Sequence, residues 1–166
     1  RGAGSATRRR QREAAPPPHG AAYPAPVASD LEQRIPVQLR WRDLDMLGHL
    51  NQSVYHELLE EGRAALIWEL LRRVGTDRAH GAYVLAHVDL DYHTEVRKDH
   101  GEVEIVVRVR QVGTSSFRLR HEIRLPDGTV AASGETVMVA WDPRTRGKRA
   151  LTEDELAALR SAATAD

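Results

Sequence analysis

The chain has 166 residues, 41% of them hydrophobic, no cysteine and a formal net charge of zero. That length supports one domain with one core, and the lack of cysteine excludes disulfides, thiolate metal sites and cysteine nucleophiles. The first 13 residues hold five arginines against Glu13, leaving 19 basic and 23 acidic residues beyond them, a balance that disfavours a phosphate-neutralising nucleic-acid binder.

Residues 1–30 are rich in Arg, Ala, Pro and Gly, include Pro16-Pro17-Pro18 and show no periodicity. They offer too little apolar area to offset ordering, so residues 1–33 are expected to form a disordered tail and 34–164 a single domain. The basic start has no apolar stretch behind it, and no run approaches the roughly 20 residues of a membrane span. A cytoplasmic protein with no membrane partner is the expectation.

Ile35, Val37 and Leu39 alternate with polar residues and lead to Trp41, which predicts a first strand. A polar loop with Asp43, Asp45 and Gly48 follows. Over 52–73, Tyr55, Leu58, Leu59, Gly62, Ala65, Leu66 and Leu70 recur at three- and four-residue spacings, predicting a long helix with Asn51 as its cap. Gly62 in mid-helix costs about 1 kcal/mol relative to Ala, so it marks a close approach to another element.

Alternation of Val84, Ala86, Val88, Leu90 and Tyr92 predicts a second strand. Val103, Ile105 and Val107 mark a third, Phe117 to Ile123 a fourth and Val130 to Trp141 a fifth, with Pro126-Asp127-Gly128 as turn chemistry. Short links between strands two to five imply an antiparallel meander. Thr152 with Glu155 predicts a capped terminal helix over 153–162. Five strands and one long helix make an α+β domain, most economically a sheet curved around that helix. Its exposed edge and half-covered sheet favour self-association.

The loop before the helix is the best candidate for chemistry. Asp45 precedes a helix whose first N–H groups are unpaired and lie at the positive end of the dipole. The Gly48 turn can fold carboxylate and N–H groups toward one carbonyl. Taken alone, Asp43 and Asp45 are more readily read as loop caps or partners of Arg40 and Arg42.

Residues 40–55, Arg-Trp-Arg-Asp-Leu-Asp-Met-Leu-Gly-His-Leu-Asn-Gln-Ser-Val-Tyr, resemble the signature of the 4-hydroxybenzoyl-CoA thioesterase family, a hotdog-fold family. Glu60-Glu61-Gly62-Arg63 is similar to that family's Glu-Glu-Ala-Arg, and Gly113-Thr114-Ser115-Ser116-Phe117 to its Gly-x-x-Ser-Phe turn. Asp91-Tyr92 also fits, whereas Glu95 or Val96 stands where the family often has Pro. The resemblance spans residues 35–145. It implies a hotdog domain, a five-stranded antiparallel sheet around one central helix, hydrolysing acyl-CoA thioesters without metal or cofactor as a homodimer or homotetramer. An acyl-carrier-protein thioesterase or a non-catalytic acyl-CoA-binding protein are its alternatives.

In that reading Asp45 activates water or attacks directly, the Gln52 backbone N–H polarises the carbonyl, and His49 is a second acid-base group or a packed loop residue. Asn51, Tyr55, Ser115 and Ser116 are substrate-binding candidates, although Asn51 also reads as a cap, Tyr55 as core and the serines as hairpin. Asp43 orients the loop, and Arg97 or Arg110 offers charge for the nucleotide of CoA. Glu60 and Glu61 read as a solvated or salt-bridged helix face.

His56 to Glu60 lacks the second His of a zinc protease helix. His87, Asp89 and Asp91 share a strand face and read as polar surface rather than a metal site. No Gly-x-Ser-x-Gly elbow, P-loop or Gly-x-Gly-x-x-Gly turn is present.

Overall fold

In the computed structural model, which describes residues 31–75 and 82–163, the core begins at the fully buried Leu31. Residues 31–33, expected in the tail, thus belong to the folded part, and the remainder of the expected tail lies outside the described residues. Strand β1 spans Gln33–Gln38 and buries Ile35. It tolerates Pro36, which has no N–H, because it is a sheet edge. Trp41 does not extend this strand as expected. It opens a single 3-10 turn, Trp41–Asp43, and is 81% exposed. Asp43 holds that turn by accepting a 2.7 Å hydrogen bond from the Arg40 N–H.

Helix α1 runs Gln52–Val74, capped by Asn51, whose Oδ1 accepts from the Ser53 N–H at 3.0 Å. It ends on Gly75 in the left-handed region at φ 66°. Every apolar residue of the expected stripe is buried, together with Arg63 and Glu69. Gly62 explains how closely the helix lies on the sheet. A Cβ there would stand 2.6 Å from Val107 Cγ2 and 2.9 Å from Ile105 Cγ2.

The remaining strands are β2 (Ala82–Val88), β3 (Asp91–Tyr92), β4 (Glu102–Val112), β5 (Ser116–Arg124), β6 (Val130–Asp142) and β7 (Gly147–Lys148). The sheet is antiparallel in the order β1-β4-β5-β6-β2, with the two-residue β3 and β7 also paired to β6. Only β4, β5 and β6 form the expected meander. β2 does not pair with β4, because β1 occupies that place and residues 93–101 cross between the two sides. The crossing is fixed by Leu50 N–H donating to Val96 O at 2.7 Å and Leu39 N–H to Gly101 O at 2.9 Å, with Val96 fully buried. A link of that length looks the same in sequence whether it makes a hairpin or a crossover.

The inner face of the sheet carries Ile105, Val107, Phe117, Leu119, Ile123 and Met138 against Leu59, Leu66 and Leu70 of α1. The outer face is charged, with ion pairs such as Arg34–Glu104 (3.1 Å) and Arg108–Glu32 (3.3 Å). The short helix α2, Glu153–Ala162, has the expected box between Thr152 and Glu155. The nearly inaccessible Glu155 also accepts from Tyr83 Oη at 2.5 Å and from both terminal nitrogens of Arg149 at 2.7 and 2.8 Å, which ties α2 to β2. Burial pushes the Tyr83 phenol well above its ordinary range, and the Glu155 carboxylate adds to that.

The expected second strand is broken at Asp89-Leu90 into β2 and β3. The Asp89 carbonyl presses against β6, where a Cβ on residue 134 would stand only 2.2 Å from it, so Gly134 is required there. The Asp89 N–H donates to Glu135 O at 3.0 Å, and its Oδ1 accepts from the Glu135 N–H at 2.8 Å. The wholly buried His121 donates Nε2–H to the Asp89 carbonyl at 3.1 Å, while Nδ1 faces Thr136 Oγ1 at 3.1 Å. Burial pushes the His121 imidazole down to about 4, with Arg63 adding to that and the Asp89 bond opposing it.

This packing can be tested at two positions. Gly62→Ala should lose about 1–3 kcal/mol of stability through overpacking, read by urea denaturation. Val107→Ala in the same chain should give back part of that loss, because the pair is in contact. His121 should stay neutral in the folded protein down to about pH 5, read from its ring resonances. Its contribution, on the order of 3 kcal/mol, is complete above the unfolded value near 6.5 and is lost as pH falls through 4. A ring titrating near 6.5 would contradict the buried network.

Candidate functional site

The loop from Asp43 to Asn51 is laced to itself and to its surroundings through backbone groups. The Asn51 N–H donates to Asp43 O at 2.8 Å, and Leu44 and Leu50 form an antiparallel bridge. The Asp45 N–H donates to His49 O at 2.8 Å, and the Gly48 N–H to Asp45 O at 3.1 Å. Gly48 sits at φ 81°, a conformation that favours glycine. Asp45 Oδ1 closes the loop by accepting from the Leu47 N–H at 2.8 Å and the His49 N–H at 3.0 Å. Its Oδ2 takes no hydrogen bond from the described residues.

Two segments then meet. His49 bridges Arg97, and Leu50 is bonded to Val96. Between them lies a cleft of about 470 Å³ lined by Asp45, His49, Leu50, Gln52 and Tyr55 from one segment and Tyr92, His93, Thr94 and Glu95 from the other. Gln52 is the first residue of α1, so its N–H is among those with no intrahelical acceptor. Asp45 and Gln52, a carboxylate and the residue that opens the helix, thus line the same cleft. That is the combination a reaction needs when it deprotonates water and develops negative charge on a carbonyl oxygen.

Tyr55 is 5% exposed and meets the half-exposed Tyr92 edge to face, with ring centroids 5.0 Å apart. Burial pushes its phenol up and Tyr92 adds to this, while the Val96 backbone opposes. Asn51 is occupied as the helix cap. His49 Nε2 lies 2.9 Å from Glu95 Oε2.

Other candidates lie elsewhere. Ser115 lies in the β4–β5 turn and Ser116 opens β5, their carbonyls accepting from the Ala140 and Gly113 N–H groups. Ser116 pairs with Val139 of β6 whereas Tyr92 pairs with Ala132, so roughly 23 Å of strand separates the serines from the cleft within one chain. Glu60 and Glu61 are exposed, and neither lines the cleft. The Arg97 guanidinium, a candidate for nucleotide contact, is engaged by Glu95 at 2.5 Å and Asp99 at 3.1 Å. Arg110 lies 3.8 Å from Glu135. Among the described residues no three His, Asp or Glu side chains converge on a metal-sized site, and no helix is long and apolar enough to cross a membrane. His93, Thr94 and Glu95 were missed in the sequence, whose only signal there is the end of the alternating pattern after Tyr92.

A thioesterase-like superfamily profile matches residues 39–159 of this sequence. The chain belongs to that superfamily. A Thermus thermophilus thioesterase, solved with coenzyme A and zinc, is 32% identical with a TM-score of 0.65, covering 76% of this chain and 96% of its own. A predicted thioesterase from Bacillus stearothermophilus superposes with a TM-score of 0.71 at 21% identity, covering 80% and 97%. A 1,4-dihydroxy-2-naphthoyl-CoA thioesterase from Synechocystis gives 0.63 at 16% identity, covering 78% and 96%. At those lower identities the likeness is one of fold, and that fold is the hotdog. No curated protein matches the sequence.

Proposed function

We propose that this chain hydrolyses acyl-CoA thioesters to free acid and coenzyme A, with Asp45 as the catalytic carboxylate. The observation that carries the reading is the division of labour at Asp45. Oδ1 is fixed by two amides, Oδ2 takes no hydrogen bond from the described residues, and Asp45 and Gln52 both line the cleft. Asp45 either takes a proton from the attacking water or attacks the carbonyl itself, and the Gln52 N–H faces the developing oxyanion. The membership established above supports thioester chemistry. The coenzyme A bound to the Thermus relative favours that carrier over an acyl-carrier protein. The narrower likeness to 4-hydroxybenzoyl-CoA thioesterases, a cytoplasmic setting and independence from metal are parts of the same proposal.

Self-association belongs to it too. Among the described residues β2 pairs with β6 alone, and Val84, Leu85 and Tyr92 are 36%, 48% and 49% exposed. A free strand edge with apolar side chains beside it is a template for another chain. The charged outer face gives no such support, so the edge alone carries the argument. A second copy would also offer a route for Ser115 and Ser116 to approach a cleft that they cannot reach within one chain.

Asp45→Asn should keep the loop acceptor at Oδ1 yet lower thioester turnover on the order of 10²–10⁴-fold. Asp43→Asn should be milder and Glu61→Gln nearly silent, with free-thiol release from a medium-chain and an aromatic acyl-CoA as the readout. A folded Asp45→Asn protein at wild-type rate would remove the assignment, and a wild type inert on a broad thioester panel would favour non-catalytic binding. The same preparations should sediment as dimers or tetramers, and a monomer at micromolar concentration would count against the second copy.

A further inference from the structure

We infer that Glu95 is a positioning residue for His49, holding the imidazole by Nε2 so that Nδ1 is the nitrogen left to exchange a proton at the cleft; any part this plays in turnover rests on the hydrolase reading above. His49 Nε2 lies 2.9 Å from Glu95 Oε2, and both residues line the cleft. The pair is built from two sides. The His49 backbone is fixed by its N–H to Asp45 Oδ1 at 3.0 Å and by its bridge to Arg97. Glu95 is fixed through its other oxygen, which accepts from Arg97 at 2.5 Å. Asp99 binds Arg97 through both carboxylate oxygens at 3.1 Å, which fixes the guanidinium beside Glu95.

The titratable groups that line the cleft with His49 are Asp45 on its own loop, Tyr55 on α1, Tyr92, His93 and Glu95, with Arg97 and His100 adjoining Glu95 on the crossing segment. Of the carboxylates, Asp45 is engaged with backbone amides, so Glu95 is the one paired with the imidazole. Exposed ion pairs contribute little in open water, and His49 and Glu95 are 41% and 43% exposed. A substrate filling the cleft removes that water and strengthens the pair.

With Nε2–H held by Glu95, the proton His49 can release is the one on Nδ1. Water bonds to the thioester carbon while its proton passes to Asp45. The C–S bond then breaks, and the departing sulfur takes the Nδ1 proton of the imidazolium. Transfer of the proton from Asp45 back to Nδ1 restores both groups, and the net change is thioester plus water to acid plus thiol.

The experiment compares the nitrogen resonances of the His49 ring at one fixed pH without substrate, in wild type, Glu95→Gln and Glu95→Ala. Turnover of an acyl-CoA thioester is measured on the same proteins. The Nε2 resonance should move away from its wild-type position in Glu95→Ala, where its partner is gone, and kcat should fall on the order of ten-fold with KM within about two-fold. Glu95→Gln, which keeps a hydrogen-bond acceptor, should retain more activity than Glu95→Ala. Identical ring behaviour in all three proteins would overturn the inference whatever the rates. A shifted ring response in a protein whose wild type releases no thiol would sustain the pairing and defeat the hydrolase reading instead.

Discussion

Residue 62 sets the distance between the helix and the sheet, and the rest of the molecule follows from that distance. With hydrogen in place of a methyl group, α1 descends until its backbone meets the Val107 and Ile105 methyl groups. Those branched side chains have little rotamer freedom with which to yield. The intrinsic cost of glycine in a helix, about 1 kcal/mol, is smaller than the cost of forcing a methylene into a packed core. The seat of the helix in turn fixes its N-terminus, and thus the place where Gln52 meets the loop that carries Asp45.

What holds that loop is mostly backbone. Asp43 O, Asp45 N and O, His49 O and Val96 O are all bonded to main-chain groups of the loop. The surrounding side-chain ion pairs are exposed and contribute between nothing and about 1 kcal/mol each. Substituting a single charge near the cleft should therefore alter chemistry before it alters fold. At Asp45, Oδ1 closes the loop and the residue also lines the cleft.

Much of this was legible in the residues. Three- and four-residue apolar spacing revealed α1, Asn51 its cap and Gly62 its close contact, because each is a local consequence of helix geometry. Alternation revealed the long strands. Strand order was not legible, because the pairing of β2 with β6 rather than β4 depends on a crossing segment with no local signature. The break at Asp89 was hidden for a similar reason, since Gly134 and His121, which create it, sit on other strands. Of the site, the motif between Asp43 and Tyr55 was visible, whereas Glu95 joins it only through folding. Ser115 and Ser116 fit a motif but stand apart from the cleft within one chain.

The most direct measurement is a crystal structure with a hydrolysis-resistant thioether analogue of an acyl-CoA that retains the acyl carbonyl. That carbonyl should lie in the cleft, its oxygen within hydrogen-bond distance of the Gln52 N–H and its carbon facing Asp45 Oδ2. A carbonyl lodged instead against Glu60 or Glu61, or an acyl group bound away from the Asp45 loop, would contradict the assignment of Asp45.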